Sequence, residues 1–476
     1  MEILNDETPR THNPRRRKRT KMQIFKEAYL PTIIVAITAV MILVFIIGAV
    51  TRDPGEPQLG TNDPQNTTPS TQQTTPSTPT QGINKELQQQ AKLLMAQAAQ
   101  LAQNHDYAGA LALLDTFPGN RSDFPSLEAV YNHYTDIVDN MVAWDAADVY
   151  NLSVHQLIAD PVRAFPDREY GSSYQRNFLT VSEFSAILQQ LYDNGYVLVD
   201  LDDFYDQEFN SSSGRDVFVS KKLMLPAGKK PIMLTQTHAN YYNYQTDSNG
   251  DGQPDAGADG FACSLRYDGR FYNELVNADG SISTGSFDVV PLLEDFIQEN
   301  PDFSYQGARA IISFTGYDGI LGYRVNSTKL STEALQKERD DCAKIVAALK
   351  NAGYKLGCYT FENYNYSSTS ANGIKTDLDK WAQQITPWLG EVDILVFARD
   401  GDIGDENVYD GSKFNVVYNA GFRYFLGSSQ APWNQVDSLY VRHNRLSITG
   451  ENLKKHADWF ASLFDATAVL DSARNA

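Results

Sequence analysis

The feature that most constrains this chain is a rhythm that begins near residue 145 and runs toward the C-terminus. Short apolar segments of strand length alternate there with amphipathic segments of helix length. Residues 150–155, 196–201, 231–235, 308–315, 354–359, 394–398 and 424–428 read as strands. Helices are predicted at 181–194, 289–299, 332–352, 378–389, 413–420 and 451–464, the first opened by the capping box Thr180-Val-Ser-Glu183. Strands joined by helices run parallel, because a helical crossover carries the chain back to the same end of the sheet. The pattern therefore predicts an α/β fold, a parallel sheet covered by helices, closed most simply into a (β/α) barrel. In such barrels chemistry gathers at the C-terminal ends of the strands.

The N-terminal part obeys different rules. Residues 29–50 are 22 positions without a charge, enough at about 1.5 Å per residue to cross a hydrocarbon core of roughly 30 Å. A basic cluster, Arg15-Arg-Arg-Lys-Arg19 with Lys21, precedes them and marks the cytoplasmic side. The expected organisation is a cytoplasmic basic tail at 1–28, a transmembrane helix at 29–50 and a Thr/Pro/Gln-rich linker at 51–82. The rest then lies outside, as in a single-pass type II membrane protein. Leu87, Leu94, Ala98 and Leu101, then Ala110, Leu113 and Leu114, fall at helical spacing and predict a small helical module over 83–146. Its turn at 104–111 has the look of a single tetratricopeptide-type hairpin. It reads as a cap on the main domain or, alternatively, as a groove for a protein partner.

Composition excludes some functions. A formal net charge of −19 argues against nucleic acid as a partner. The three cysteines, Cys263, Cys342 and Cys358, are too few for a disulfide scaffold and lack the spacing of a zinc site. Cys342 and Cys358 read as buried free thiols. Asp247-Ser-Asn249-Gly-Asp251-Gly-Gln253-Pro-Asp255 matches the opening of a calcium loop, with Gly252 at the sharp turn and Asp247, Asn249, Asp251, Gln253 and Asp255 as ligands. Ala258 stands where such loops carry a bidentate Glu, so a plain acidic turn is the alternative. Outside the cell even a weak calcium site would fill.

Val154-His155-Gln-Leu-Ile, Thr180-Val-Ser-Glu-Phe184, Gly195-Tyr-Val-Leu-Val, Lys230-Pro-Ile-Met-Leu-Thr235, Thr315-Gly-Tyr-Asp-Gly-Ile-Leu-Gly-Tyr-Arg324 and Ala352-Gly-Tyr follow one another as landmarks. In order and spacing the region 147–476 resembles the polysaccharide deacetylase (NodB homology) family. The resemblance implies a distorted (β/α) barrel. It also implies removal of N- or O-acetyl groups from envelope sugars, with a divalent metal held by one Asp and two His.

The positions that would carry this chemistry have changed. Where the family has a general base and a metal-binding Asp, this chain has Thr237 and His238; where it has His-x-x-x-His, this chain has Tyr359 and Asn363. A threonine cannot take a proton from metal-bound water near neutral pH, and a neutral phenol or amide is a poor substitute for imidazole at a transition metal. The expectation is a pseudoenzyme that binds cell-envelope or extracellular polysaccharide, or scaffolds envelope assembly. Its candidate ligand-binding residues are His155, His238, Tyr241, Tyr242, Tyr359, Asn363, Arg399 and Asp400. The alternative is an active carbohydrate deacetylase with a rearranged site, in which His155, His238 and Asp400 or Asp402 converge. Tyrosines 244, 364 and 366 extend the aromatic set, as sugar platforms or as core.

Overall fold

A computed structural model describes residues 79–166, 170–246, 255 and 259–475. The predicted tail 1–28, span 29–50, the 51–82 linker as far as residue 78, and all but Asp255 of the 247–255 loop lie outside the described residues; the last four residues of that predicted linker, 79–82, instead begin a helix. Among those described, no helix is long and apolar enough to cross a membrane.

Residues 77–476 form one compact unit. It opens with helices α1 (Pro79–Gln103), α2 (Tyr107–Asp115) and α3 (Pro125–Asp139), which bury Leu94, Ala98, Ala110, Leu114, Leu127 and Tyr134 among themselves. Asp106 caps α2 by accepting from the Gly109 amide at 2.8 Å. The module leans on the rest of the unit through His105, whose Nε2 lies 2.7 Å from the Asp302 carbonyl. The Gln306 amide donates to Asn104 O nearby.

Seven parallel strands then close a ring: β1 (Tyr150–Val154), β2 (Lys230–Gln236), β3 (Ile311–Phe314), β4 (Lys355–Cys358), β5 (Ile394–Val396), β6 (Tyr424–Ser428) and β7 (Val441–Ser447). Each pairs with the next in sequence, and β7 returns to β1 with Arg445 opposite Asn151. The predicted strand at 196–201 exists as Tyr196–Leu198, but it pairs outside the ring, on β2. The strand that closes the barrel, β7, was not predicted. Its centre, Arg442-His-Asn-Arg445, is polar on both faces, and no helix separates it from β6; a short antiparallel strand, Asn434–Val436, intervenes. Periodicity cannot find a strand whose buried side chains are charged.

The connecting helices α4 (Val181–Asp193), α5 (Val289–Glu299), α6 (Thr332–Ala352), α7 (Ala371–Gln384) and α8 (Gly411–Asn419) cover the outside. The helix predicted at 378–389 is divided into α7 and a short turn, Thr386–Leu389. That predicted at 451–464 breaks after Lys455. The capping box at Thr180 and Glu183 is formed, and Glu183 also takes the Arg474 guanidinium, with Nη2 to Oε2 at 2.7 Å. Both side chains are fully buried, which fastens the C-terminus to α4.

Alternation along the strands divides the apolar residues into two sets. Leu152, Ile232, Leu234, Ile312, Phe314 and Leu395 face the helices. Met233, Ile311, Ile394, Val396, Tyr424, Leu426 and Val441 fill the barrel. The three cysteines are free thiols, Cys342 and Cys358 fully buried and Cys263 half-buried.

Candidate functional site: the barrel mouth

At the C-terminal ends of the strands the apolar filling stops and a polar layer begins. Parallel register carries inward-facing residues two steps at a time, so His155 after β1 and Thr237 after β2 stand side by side. His155 Nδ1 and Thr237 Oγ1 are 2.5 Å apart, and Thr237 is fully buried, its hydroxyl also 3.3 Å from the Val154 carbonyl. The structure brings His155 and His238 together: their rings stack at 4.9 Å with 25° between planes. The Tyr359 ring, after β4, packs edge-on to His238 at 4.5 Å. Behind them Arg445 reaches inward from β7, donating from Nη1 to Ser153 Oγ at 3.0 Å and from Nη2 to Phe397 O at 3.1 Å.

The electrostatics follow from burial. Desolvation first, and then the Arg445 charge, hold His155 down to about 4. Desolvation, with His155, Arg445 and Arg399, puts His238 well below its ordinary value. Both imidazoles are therefore neutral near pH 7. Burial raises the Tyr359 hydroxyl, so it is a phenol there.

The loops that carry these groups are tightly held and strained. Asp377 of α7 is buried and accepts from the Phe361 amide (2.7 Å), the Glu362 amide (2.9 Å) and the Tyr366 hydroxyl (2.7 Å), fixing the turn after β4. Asp288, equally buried, accepts from the Leu157 amide (2.9 Å) and Gln236 Nε2 (2.8 Å), tying the ends of β1 and β2. Burial raises both carboxyls. Neither residue was singled out from sequence, since one carboxylate at the start or middle of an amphipathic helix looks like any other. Positive φ angles occur at His238 (59°), Tyr241 (57°), Thr360 (63°), Asn363 (56°), Arg399 (52°) and Asp400 (55°), all in loops leaving β2, β4 or β5. Left-handed backbone costs a non-glycine residue roughly 1–2 kcal/mol, and such strain concentrates at functional sites.

The remaining expectations divide. Tyr241 is corrected: it is buried, with its hydroxyl accepting from Asn273 Nδ2 at 3.0 Å, and belongs to the core rather than to a ligand wall. Tyr242 is also mostly buried, its hydroxyl 2.9 Å from Thr315 Oγ1, and Tyr366 is core. Of the predicted aromatic set Tyr244 (40% exposed) and Tyr364 (45%) are accessible, as is Tyr317 (57%), which was not predicted. Tyr242 and Tyr244 stack at 5.6 Å, Tyr242 and Tyr317 lie 6.0 Å apart, and Tyr242 meets His238 edge-on at 5.9 Å. Tyr244 and Tyr317 border a cleft of about 660 Å³. Arg399 and Asp400 are exposed at the lip. Asp402 does not join the histidines; Arg442 and the Tyr409 hydroxyl hold it at 2.8 and 2.6 Å. Asn363 Oδ1 and His238 Nε2 are buried without a hydrogen-bond partner.

The divalent metal that the resemblance implies does not fit these donors. Imidazole lone pairs lie in the ring planes, so two rings stacked almost parallel do not aim at one ion. Among the described residues no three His, Cys, Asp or Glu side chains gather as a ligand set. Of the 247–255 loop, for which calcium was expected, only Asp255 is described, together with residues 246 and 259 on either side of the loop. The Asp255 amide donates to Thr246 O at 2.7 Å and the Asp259 amide to Gln245 O at 3.0 Å. The Asp259 carboxylate accepts from the Tyr174 hydroxyl at 2.7 Å.

No family model matches the chain, and no curated protein does. Among solved structures, a de-N-acetylase from Aggregatibacter actinomycetemcomitans is similar at 12% identity and a TM-score of 0.34, over 64% of this chain and 95% of that one. A Streptococcus pyogenes deacetylase in complex with acetate is similar at 10% identity and a TM-score of 0.31, over 66% of this chain and 98% of that one. The α/β barrel itself stands on the chain's own strand pairing.

Proposed function

We propose that this chain is a membrane-anchored, extracytoplasmic protein with a polysaccharide deacetylase-like barrel, which binds cell-envelope glycan at the barrel mouth without hydrolysing it. One observation carries the reading: the strand ends that would activate water hold Thr237, Tyr359 and two stacked, neutral histidines, while exposed tyrosines line the adjoining cleft. Tyr244 and Tyr317 offer apolar faces to sugar rings and hydroxyls to their edges. Thr237 is no substitute nucleophile, being buried beneath His155.

The full-length chain is expected to release no acetate from acetylated chito-oligosaccharides or peptidoglycan, with or without added Zn, Co or Ni. It is expected to bind those glycans, and Tyr244→Ala to weaken binding about tenfold, roughly 1.4 kcal/mol. Metal-dependent turnover abolished by His238→Ala would instead establish the rearranged hydrolase. The 247–255 loop is proposed to hold calcium and order that side of the mouth. Chelation should then lower the melting temperature, by the equivalent of about 1.4 kcal/mol if calcium had been present at ten times its Kd. An unchanged melting curve would leave only an acidic turn.

A further inference from the structure

We propose that the glycan is recognised through a carboxylate, which the mouth takes as the counter-charge of Arg445. The inference rests on the glycan-binding reading above and names the chemical class of the ligand. Three arginines are deeply buried among the described residues: Arg442, Arg445 and Arg474. Arg442 is matched by Asp402 and Arg474 by Glu183. Arg445, 2% exposed, hydrogen-bonds only the neutral Ser153 hydroxyl and the Phe397 carbonyl, and its Nε has no partner; the carboxylate whose charge reaches it, that of Asp400, is exposed and makes no ion pair with it. An arginine stays charged at any accessible pH, and a guanidinium taken out of water without an anion costs several kcal/mol.

The place of this charge defines what would answer it. The hydrogen bonds to β1 and to the residue after β5 stretch the guanidinium across the barrel, beneath His155 and beside Tyr359. At the lip, Arg399 and Asp400 are exposed, and Asp400 acts on Arg445 from a distance; the three charges together sum to one positive charge. The neutral histidines and the Tyr359 phenol add hydrogen-bond donors but no further charge. One charge and few donors suit a monoanion with two acceptor oxygens, a carboxylate, better than a dianionic phosphate monoester. Among sugars that present that group, the test compares a hexuronate, through its C6 carboxylate, and muramic acid, through its lactyl carboxylate.

Calorimetric titration of the full-length chain tests this with oligosaccharides of equal length. The set is a neutral chito-oligosaccharide, an oligogalacturonate, the methyl ester of that oligogalacturonate, a peptide-free peptidoglycan strand with free lactyl carboxylates, and a teichoic phosphodiester polymer. At least one carboxylate ligand should bind tenfold or more tighter than the neutral one, and which of them does so identifies the sugar. For the uronate, esterification should remove the preference. Arg445→Gln should abolish the preference while leaving neutral binding within about twofold. Should that variant not fold, Arg399→Ala is expected to reduce the preference severalfold, and 0.5 M salt to reduce it further. Equal affinity for the acidic and neutral ligands overturns the inference and leaves the glycan reading standing. Binding of none of them overturns both, and strongest binding of the phosphodiester overturns the carboxylate assignment.

Discussion

The wall of the barrel and its mouth bury the same kind of group in opposite ways. In the wall, Arg474 meets Glu183, which itself completes the cap of α4 and accepts the Asp471 amide at 3.0 Å, so each strong donor and acceptor there has a partner. In the mouth, Arg445 has no carboxylate, His238 Nε2 and Asn363 Oδ1 have no partner, and six side chains sit on left-handed backbone. The difference teaches where this chain spends stability. On the glycan-binding reading proposed above, the groups left open at the mouth are there for a ligand.

The comparison breaks or sharpens at three points, in falling order of effect. Glu183→Ala strands the buried Arg474 charge and removes the cap, so it should cost about 3–5 kcal/mol in urea unfolding. Arg445→Met, which removes an unmatched charge, should be neutral or stabilising by comparison. Equal losses in both variants would end the distinction between the two regions. Acid is the second point. His155 and His238 have folded-state values below their unfolded one, so the unfolded chain takes up protons first and stability falls as pH drops below about 6.5 toward about 4. Each group contributes a slope of up to about 1.4 kcal/mol per pH unit in that window. Replacing His155 with Gln should flatten a stability-against-pH curve there; an unaltered slope would show that the histidine is not held neutral. The smallest effect is backbone relief. Asn363→Gly, at φ 56° and with an orphaned side-chain oxygen, should raise stability by about 0.5–1 kcal/mol, seen as a melting temperature a few degrees higher. A loss instead would mean that the Asn363 side chain makes a contact worth more than the strain.

Much of the wall was legible in the residues. The helices at Val289–Glu299 and Thr332–Ala352 and the strand at Tyr424–Ser428 lie where apolar periodicity puts them, because their buried faces are apolar and continuous. The strand Val441–Ser447 escaped because its interior is made of Arg442, His443 and Arg445, whose burial is tolerable only with partners supplied by other strands and loops. At the mouth, the His155 and His238 pair was legible as two strand ends, and the absence of a carboxylate or imidazole at 237, 359 and 363 was plain from residue type. That Tyr241 turns into the core while Tyr244 turns out was not, since neighbouring tyrosines in a loop carry no periodicity to separate them.

Sequence alone determined the local matters: which segments with apolar periodicity become helix or strand, where α4 is capped, and which chemical groups stand at the strand ends. These depend on side-chain type and near neighbours along the chain. Only the tertiary structure decided that the ring closes through β7, that two imidazoles stack instead of converging, and that one of three buried arginines lacks an anion. Those outcomes depend on distances between residues as far apart as Ser153 and Arg445, and on the desolvation that closure imposes, neither of which is written in any stretch of adjacent residues.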